Sequence, residues 1–300
     1  MPPLPFAIRP YRPADARAVC AFFASAHRRD HAVGVVDPGQ WRVYLSRPSL
    51  RGGRDFRVAV EGTRVVGLLV SFPLGGRARG RTRRHFRILV HPTRRRRGIG
   101  GALFRLLEAQ PLSGPRPTLQ TVVPGIWRAA RAFYRRRGFG VVHREIEMRR
   151  ADRPAPPPRV PEGYAVRPFG RPGNPTAWLR LYREAWGRDL QRFTLGETWA
   201  ERALPGARAW LAVRGERPVG LCLVNRASGG RCVQSLAVSR AHQGLGLARA
   251  LLRTGLRALR KSGRGPIHLS TGDDNPGARR LYESERFRAV GKEYALWRDR

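Results

Sequence analysis

Two stretches of the chain repeat each other at a constant spacing. ILVHPTRRRRGIGGALFRLLE begins at Ile88, and LAVSRAHQGLGLARALLRTGL begins at Leu236. Setting Val90 against Val238, an offset of 148, brings Arg95 to Gln243, Gly98 to Gly246 and Gly100 to Ala248. The same offset pairs Phe133-Tyr134 with Leu281-Tyr282 and Phe139 with Phe287. A fixed offset without insertions means that one supersecondary unit is built twice. The repeat extends upstream with small shifts. Ile8-Arg9-Pro10 resembles Val166-Arg167-Pro168, and the stretch from Val58 to Gly67 resembles that from Leu211 to Gly220. Each of the latter reads as an apolar strand, a glycine turn and a second apolar strand, which is a hairpin pattern.

The 300 residues suit two domains of ordinary size. Between the copies lies ADRPAPPPRVPEG, residues 151–163. Its prolines exclude a helix and favour a semi-rigid extended spacer. The expected division is therefore residues 1–150, a linker over 151–163, and residues 164–300. In the first copy the pattern predicts helices at Ala14–Ala26 and Gln40–Leu45. A hairpin follows over Phe56–Val60 and Val65–Phe72, then a strand at His85–Val90 and a helix from Gly98 to Ala109. A strand at Thr118–Val123, a helix at Ile126–Arg137 and a strand at Gly140–Met148 complete it. The second copy follows the same order, with its core helix at Gly246–Arg260 and its last strand at Phe287–Trp297. Strands interrupted by helices, with an antiparallel hairpin, predict an α/β class with a mixed sheet flanked by helices.

Charge is the other conspicuous feature. The formal net charge is +38, and all but Lys261 and Lys292 of the 59 basic residues are arginine. So one-sided a choice, spread along the whole chain, points to a compositional bias filling solvated surface, more than to a dedicated nucleic-acid face. Weak, salt-sensitive, non-specific nucleic-acid binding is expected either way. The three cysteines, Cys20, Cys222 and Cys232, do not make a disulfide framework. Free thiols in a reducing cytoplasm are expected. No Cys/His spacing matches a zinc site. No apolar run of spanning length and no signal-peptide pattern occurs, so a cytoplasmic protein without a membrane segment is expected.

The strand-turn-helix segments carry the chemistry. The first copy reads Arg95-Arg96-Arg97-Gly98-Ile99-Gly100 after a strand ending Leu89-Val90. The second reads Gln243-Gly244-Leu245-Gly246-Leu247-Ala248 after Leu236-Ala237-Val238. The first turn of a helix leaves N–H groups without partners, and these attract an anion together with the helix dipole. Small residues let a phosphate approach the backbone. This pattern resembles the pyrophosphate-binding signature of the GNAT superfamily of N-acetyltransferases. A second GNAT signature resembles Asn275-Pro276-Gly277-Ala278-Arg279-Arg280-Leu281-Tyr282, which ends at Phe287 with Arg286 where the family has glycine. The first copy keeps Tyr134 and Gly138 but has Trp127 in place of the asparagine.

The resemblance implies a tandem duplicated GNAT-type fold and transfer of an acetyl group from acetyl-CoA, as co-substrate, to an amine. It further implies binding of the diphosphate by the two loops and of the pantetheine or acyl region by Asn275. Oxyanion donors are implied near Ala237–Val238 or Leu89–Val90. Tyr282, or Tyr134 in the first copy, is implied as the general acid, since a free tyrosine with a pKa of about 10 is protonated at neutral pH. No carboxylate lies on either strand before the loops, so no general base is visible. Gln234 and Ser235 are weak candidates for holding a water, a solvated loop position is expected for His242, and Asp273 and Asp274 are expected to cap the following helix. The second copy, with Asn275, is expected to be catalytic. The first, with its intact loop, is expected at least to bind coenzyme A. The acceptor is expected to be a small-molecule amine, selected by Pro10–Leu50 and Pro168–Gly206. Two alternatives stand beside this reading: a non-catalytic acyl-CoA-responsive module on nucleic acid or the ribosome, and a protein N-acetyltransferase. Residue pattern leaves the oligomeric state open.

Overall fold

A computed structural model describes residues 5–30, 55–78, 81–110, 117–169, 180–181, 184–185, 207–227 and 230–299. The expected helix at Gln40–Leu45, residues 31–50 of Pro10–Leu50 and most of Pro168–Gly206 lie outside them. The chain forms two compact units, residues 1–142 with 294–300 and residues 143–293.

Unit 1 follows the predicted order: β1 (Ala7–Pro10), α1 (Ala16–Asp30), β2 (Phe56–Glu61), β3 (Arg64–Ala78), β4 (Arg81–Val90), α2 (Ile99–Glu108), β5 (Thr118–Pro124) and α3 (Arg128–Arg135). Strands β1 to β4 are antiparallel neighbours, and β5 joins β4 in parallel. One apolar layer packs α2 and α3 on the sheet, through Ile99, Leu103, Phe104 and Leu107 of α2 and Tyr134 of α3. The other face holds α1 through Val19, Phe22 and Phe23. From β6 (Gly140–Arg150) the chain enters unit 2, with β7 (Ala165–Phe169), β8 (Arg208–Arg214), β9 (Arg217–Ala227), β10 (Gly230–Val238), α4 (Leu247–Lys261), β11 (Ile267–Gly272), α5 (Pro276–Ser284) and β12 (Arg288–Asp299). Here β7 to β10 are antiparallel and β11 joins β10 in parallel. Leu247, Leu251, Leu252, Leu256 and Leu259 form the helical stripe that seats α4 on the sheet.

The last strand of each copy is exchanged. Residues of β6 from His143 onward belong to unit 2, and residues of β12 from Tyr294 onward belong to unit 1. In unit 2, β6 runs antiparallel to β11 from Ile267↔Arg150 to Gly272↔Glu145, and Ile146 and Met148 enter the core with Leu251 and Leu269. In unit 1, Leu296 is buried with Phe86, Phe104 and Phe139. Arg298 donates to the Glu108 carboxylate at 2.9 Å and to the Arg137 carbonyl at 3.0 Å, and Thr118 donates to Asp299 at 2.9 Å. Packing therefore divides the chain inside the terminal strands, whereas the repeat divides it at 151–163.

The proline-rich segment is extended but is not a free spacer. Prolines lack N–H groups and leave carbonyls to be satisfied. Arg150, 2% exposed, donates to the carbonyls of Arg153 (2.8 Å), Pro154 (3.0 Å) and Glu285 (2.9 Å). Arg253 reaches the Pro157 carbonyl at 3.4 Å, and Ala155 is buried against α4.

The helix before each exchanged strand ends alike. Gly138 has φ +80° and Arg286 has φ +67°. In both, the next N–H bonds back five residues, Phe139 to Tyr134 at 3.2 Å and Phe287 to Tyr282 at 2.9 Å. A non-glycine residue in this left-handed region costs about 1–2 kcal/mol. Arg286→Gly is expected to raise the stability of unit 2 by about 1 kcal/mol, read as a higher urea midpoint. Leu296→Ala, near the C-terminus, is expected to cost about 2–5 kcal/mol. Hydrogen exchange should show that loss in the amides of α2 and β4 and leave α4 protected; the opposite distribution would contradict the exchange.

Candidate functional site

The two glycine loops fold almost identically. In the second copy, β10 ends at Val238, a single 3-10 turn covers Arg240–His242, and α4 opens at Leu247. Gly244 and Gly246 have φ of +81° and +86°. Gln243 donates through Nε2 to the Val238 carbonyl at 2.9 Å, tying the loop to the strand end. In the first copy, β4 ends at Val90 and α2 opens at Ile99; Arg96 and Gly98 have φ of +63° and +81°. Arg95 donates through Nε to the Val90 carbonyl at 3.4 Å. Ile99 and Leu247, each the first residue of its helix, are buried, while the residues of both loops are exposed. Neither helix has an acidic residue in its first turn. Both N-termini thus present backbone donors to an anion, in the places foreseen for Arg95–Gly100 and Gln243–Ala248.

Beyond the loops the copies part. In the second copy the parallel ladder pairs Arg231 with Ile267 and Cys232 with His268, and it goes no further, although β10 runs on to Val238 and β11 to Gly272. The two strands diverge toward their carboxyl ends. A β-bulge between Val233 and Ser235 breaks the β9–β10 register, with Gln234 as the extra residue. Bulges of this kind re-aim the backbone beside functional sites. Leu236–Val238, the expected oxyanion strand, lies between this bulge and the loop. The first copy also stops its parallel ladder early, at His85↔Gln120. Its β3–β4 register, however, runs unbroken from Gly67↔Val90 to Leu74↔Arg83, so Leu89 and Val90 sit on a regular strand.

Asn275 is the N-cap of α5, and its Oδ1 accepts from the Ala278 N–H at 3.0 Å. It performs the capping expected of Asp273 and Asp274; Asp273 instead faces Lys292 at 3.4 Å. Tyr282 lies two turns along α5, packed in the core edge-on to Phe287 at 5.9 Å. Tyr134 is 4% exposed inside a cage of Phe86, Phe104, Phe133 and Phe139. Burial raises its pKa above the usual tyrosine value, against a smaller lowering by Arg137 and Arg87. His242 is not simply solvated, since Tyr164 Oη lies 2.8 Å from its Nδ1. No disulfide joins Cys20, Cys222 or Cys232; burial pushes Cys222 up to about 12 and Cys232 to about 11.

Unit 2 also contains carboxylates that no residue pattern tied to the loops. Glu145 and Glu147 alternate on β6 with the core residues Ile146 and Met148, so they face the opposite side of the sheet. Glu145 stands opposite Gly272 at the carboxyl end of β11, next to the start of α5. Its pKa is raised to about 7, first by burial and then by the neighbouring charges of Glu293 on β12 and Glu147. Glu147 is raised for the same reasons, burial first and Glu293 second. His143 Nε2 lies 3.8 Å from Glu145 Oε1. The alternation of VVHREIEMRR is legible as a strand, but not that its second half joins the sheet of the second copy.

Comparison with known proteins agrees with this architecture. Residues 176–286 match the acetyltransferase (GNAT) family and residues 52–141 match an acetyltransferase (GNAT) domain. A mycothiol acetyltransferase of Parafrankia sp. is 32% identical over 92% of this chain and 92% of its own length. One from Thermomonospora curvata is 35% identical over 66% of this chain and 68% of its own. Among solved structures, a tandem GNAT protein from the clavulanic acid biosynthesis pathway superposes with a TM-score of 0.73 at 18% identity, covering 98% of each chain. A GCN5-related N-acetyltransferase from Sphaerobacter thermophilus gives 0.72 at 22% identity, covering 99% of this chain and 96% of that one. These likenesses favour neither the non-catalytic nor the protein-modifying alternative. Among the described residues, no helix is long and apolar enough to cross a membrane. The chain belongs to the GNAT acetyltransferase family, as a tandem two-domain member that uses acetyl-CoA to acetylate an amine.

Proposed function

We propose that the second copy carries out the transfer and that its acceptor is a mycothiol-type small molecule bearing a free amine, as the name of the relatives suggests. The observation that carries the reading is the combination found in this copy: a loop with Gly244 and Gly246 left-handed, a bulge at Gln234 and a strand pair that diverges beside them. Ligands of open α/β sheets bind outside the carboxyl ends of such strands. The diphosphate of acetyl-CoA sits on the N–H groups that open α4, with Gln243–Ala248 around it. The thioester lies along Leu236–Val238, whose N–H groups stabilise the oxyanion.

The amine arrives as an ammonium, which cannot attack. The Glu145 carboxylate takes one proton from it and passes that proton to solvent, with His143, Glu147 and Glu293 as its charged or titratable neighbours. The neutral nitrogen then attacks the thioester carbonyl. A C–N bond forms, the C–S bond breaks, and nitrogen sheds a second proton. The thiolate takes a proton from the Tyr282 hydroxyl, which is replenished from solvent. One proton is released overall per acetyl transferred.

Tyr282→Phe is expected to lower kcat by about 10²–10⁴ while changing the Kd for acetyl-CoA less than about twofold; equal losses in both would remove its assignment as the acid. Because the raised Glu145 must lose its proton before it can accept one, kcat/KM should climb as pH rises through about 7. Glu145→Gln should abolish that inflection as well as lowering the rate. A profile unchanged in shape in the variant would assign the base elsewhere.

A further inference from the structure

The first copy has the phosphate loop of the second, yet its diverging strands open onto different chemistry. Trp127 occupies the position of Asn275, as the N-cap of α3. Its side chain packs against the apolar layer beneath α2 and α3 and also against the layer beneath α1 on the other face of the sheet. Trp127 follows the carboxyl end of β5, past the last ladder pair His85↔Gln120, and touches Arg95 of the loop that follows β4. In the second copy, no described hydrophobic residue is shared by the two layers of the sheet, and Asn275 is exposed. Two further contacts hold the indole in place. The Arg95 guanidinium stacks on it at 5.6 Å, and the turn before it is closed by Trp127 N–H donating to the Pro124 carbonyl at 3.0 Å and by Arg131 donating to that of Gly125 at 3.2 Å. The regular β3–β4 register and the caged Tyr134 belong to the same closed arrangement.

We infer that Trp127 is a built-in plug: it fills the gap between β4 and β5 that a pantetheine arm must enter, so the first copy binds no acyl-CoA despite its loop. This replaces the expectation that the loop alone secures coenzyme A there. A helix N-terminus holds the diphosphate, but the adjoining arm needs a channel, and an indole in van der Waals contact with both layers leaves none. The inference rests on the second copy being the acyl-CoA site.

The test is calorimetric titration of the full chain with acetyl-CoA, in wild type, Trp127→Asn, Gly246→Asp and the double variant. Asparagine is a favourable N-cap, so the first variant restores the arrangement of the second copy at a position where it is tolerated; Trp127→Ser serves as its companion. Unfolding midpoints confirm that each variant is folded. The expected stoichiometries are one per chain for wild type, two for Trp127→Asn, none for Gly246→Asp and one for the double variant. Two sites in wild type would overturn the plug, as would a single site retained in both folded Trp127 variants. No site in wild type with one gained in Trp127→Asn would leave the plug standing and sink the assignment of the second copy. No site in any variant would overturn both.

Discussion

A parallel strand pair joined at one end only sets the chemistry of this fold. Two parallel strands hydrogen-bonded along their whole length leave no room for a ligand between them. When the ladder stops at Cys232↔His268 and both strands continue, the sheet offers an entry lined by backbone, with the positive end of a helix beside it. Everything else in the second copy serves that opening. The α4 leucine stripe fixes the helix that supplies the amides, and the bulge at Gln234 turns the strand toward them. The first copy shows what happens when the same opening is closed from within by an aromatic side chain.

Arginine does more in this protein than fill its surface. Arg150, Arg231 and Arg298 lie buried or half-buried and donate to backbone carbonyls at helix ends and in the proline-rich segment. A guanidinium has five donors in a fixed fork and stays charged, so it can satisfy several carbonyls at once. In a chain where prolines and helix C-termini leave many acceptors unpaired, that is a structural use of a composition that otherwise looks like nucleic-acid binding.

What was legible in the residues was local. The constant offset between Val90 and Val238 located both loops, and it set Arg286 against Gly138, the two helix termini that prove left-handed in the structure. Hairpins, helices and the order of elements follow from periodicity and turns, and they recur in the structure within a few residues. What escaped was set by which segments meet. GVVHREIEMRR has the same alternation whichever sheet receives it, so neither the exchange nor the placement of Glu145 beside β11 could be read from it. The strands RHFRILV and RCVQSLAV read alike as apolar runs before a glycine loop, yet one is regular and the other bulged. Trp127 reads as an aromatic at a helix start; its contact with two apolar layers exists only once the strands have parted.

The exchanged strands bear on how such a chain can change over time. Each half of the coding sequence specifies five strands of one compact unit and part of a strand of the other. Neither half is an inheritable module that could be lost, duplicated again or transferred alone without leaving an unfinished core. Whichever copy carries out the transfer, the other finishes its core: α4 and β11 pack against Ile146 and Met148 from the first half, and Phe86 and Phe104 against Leu296 from the second.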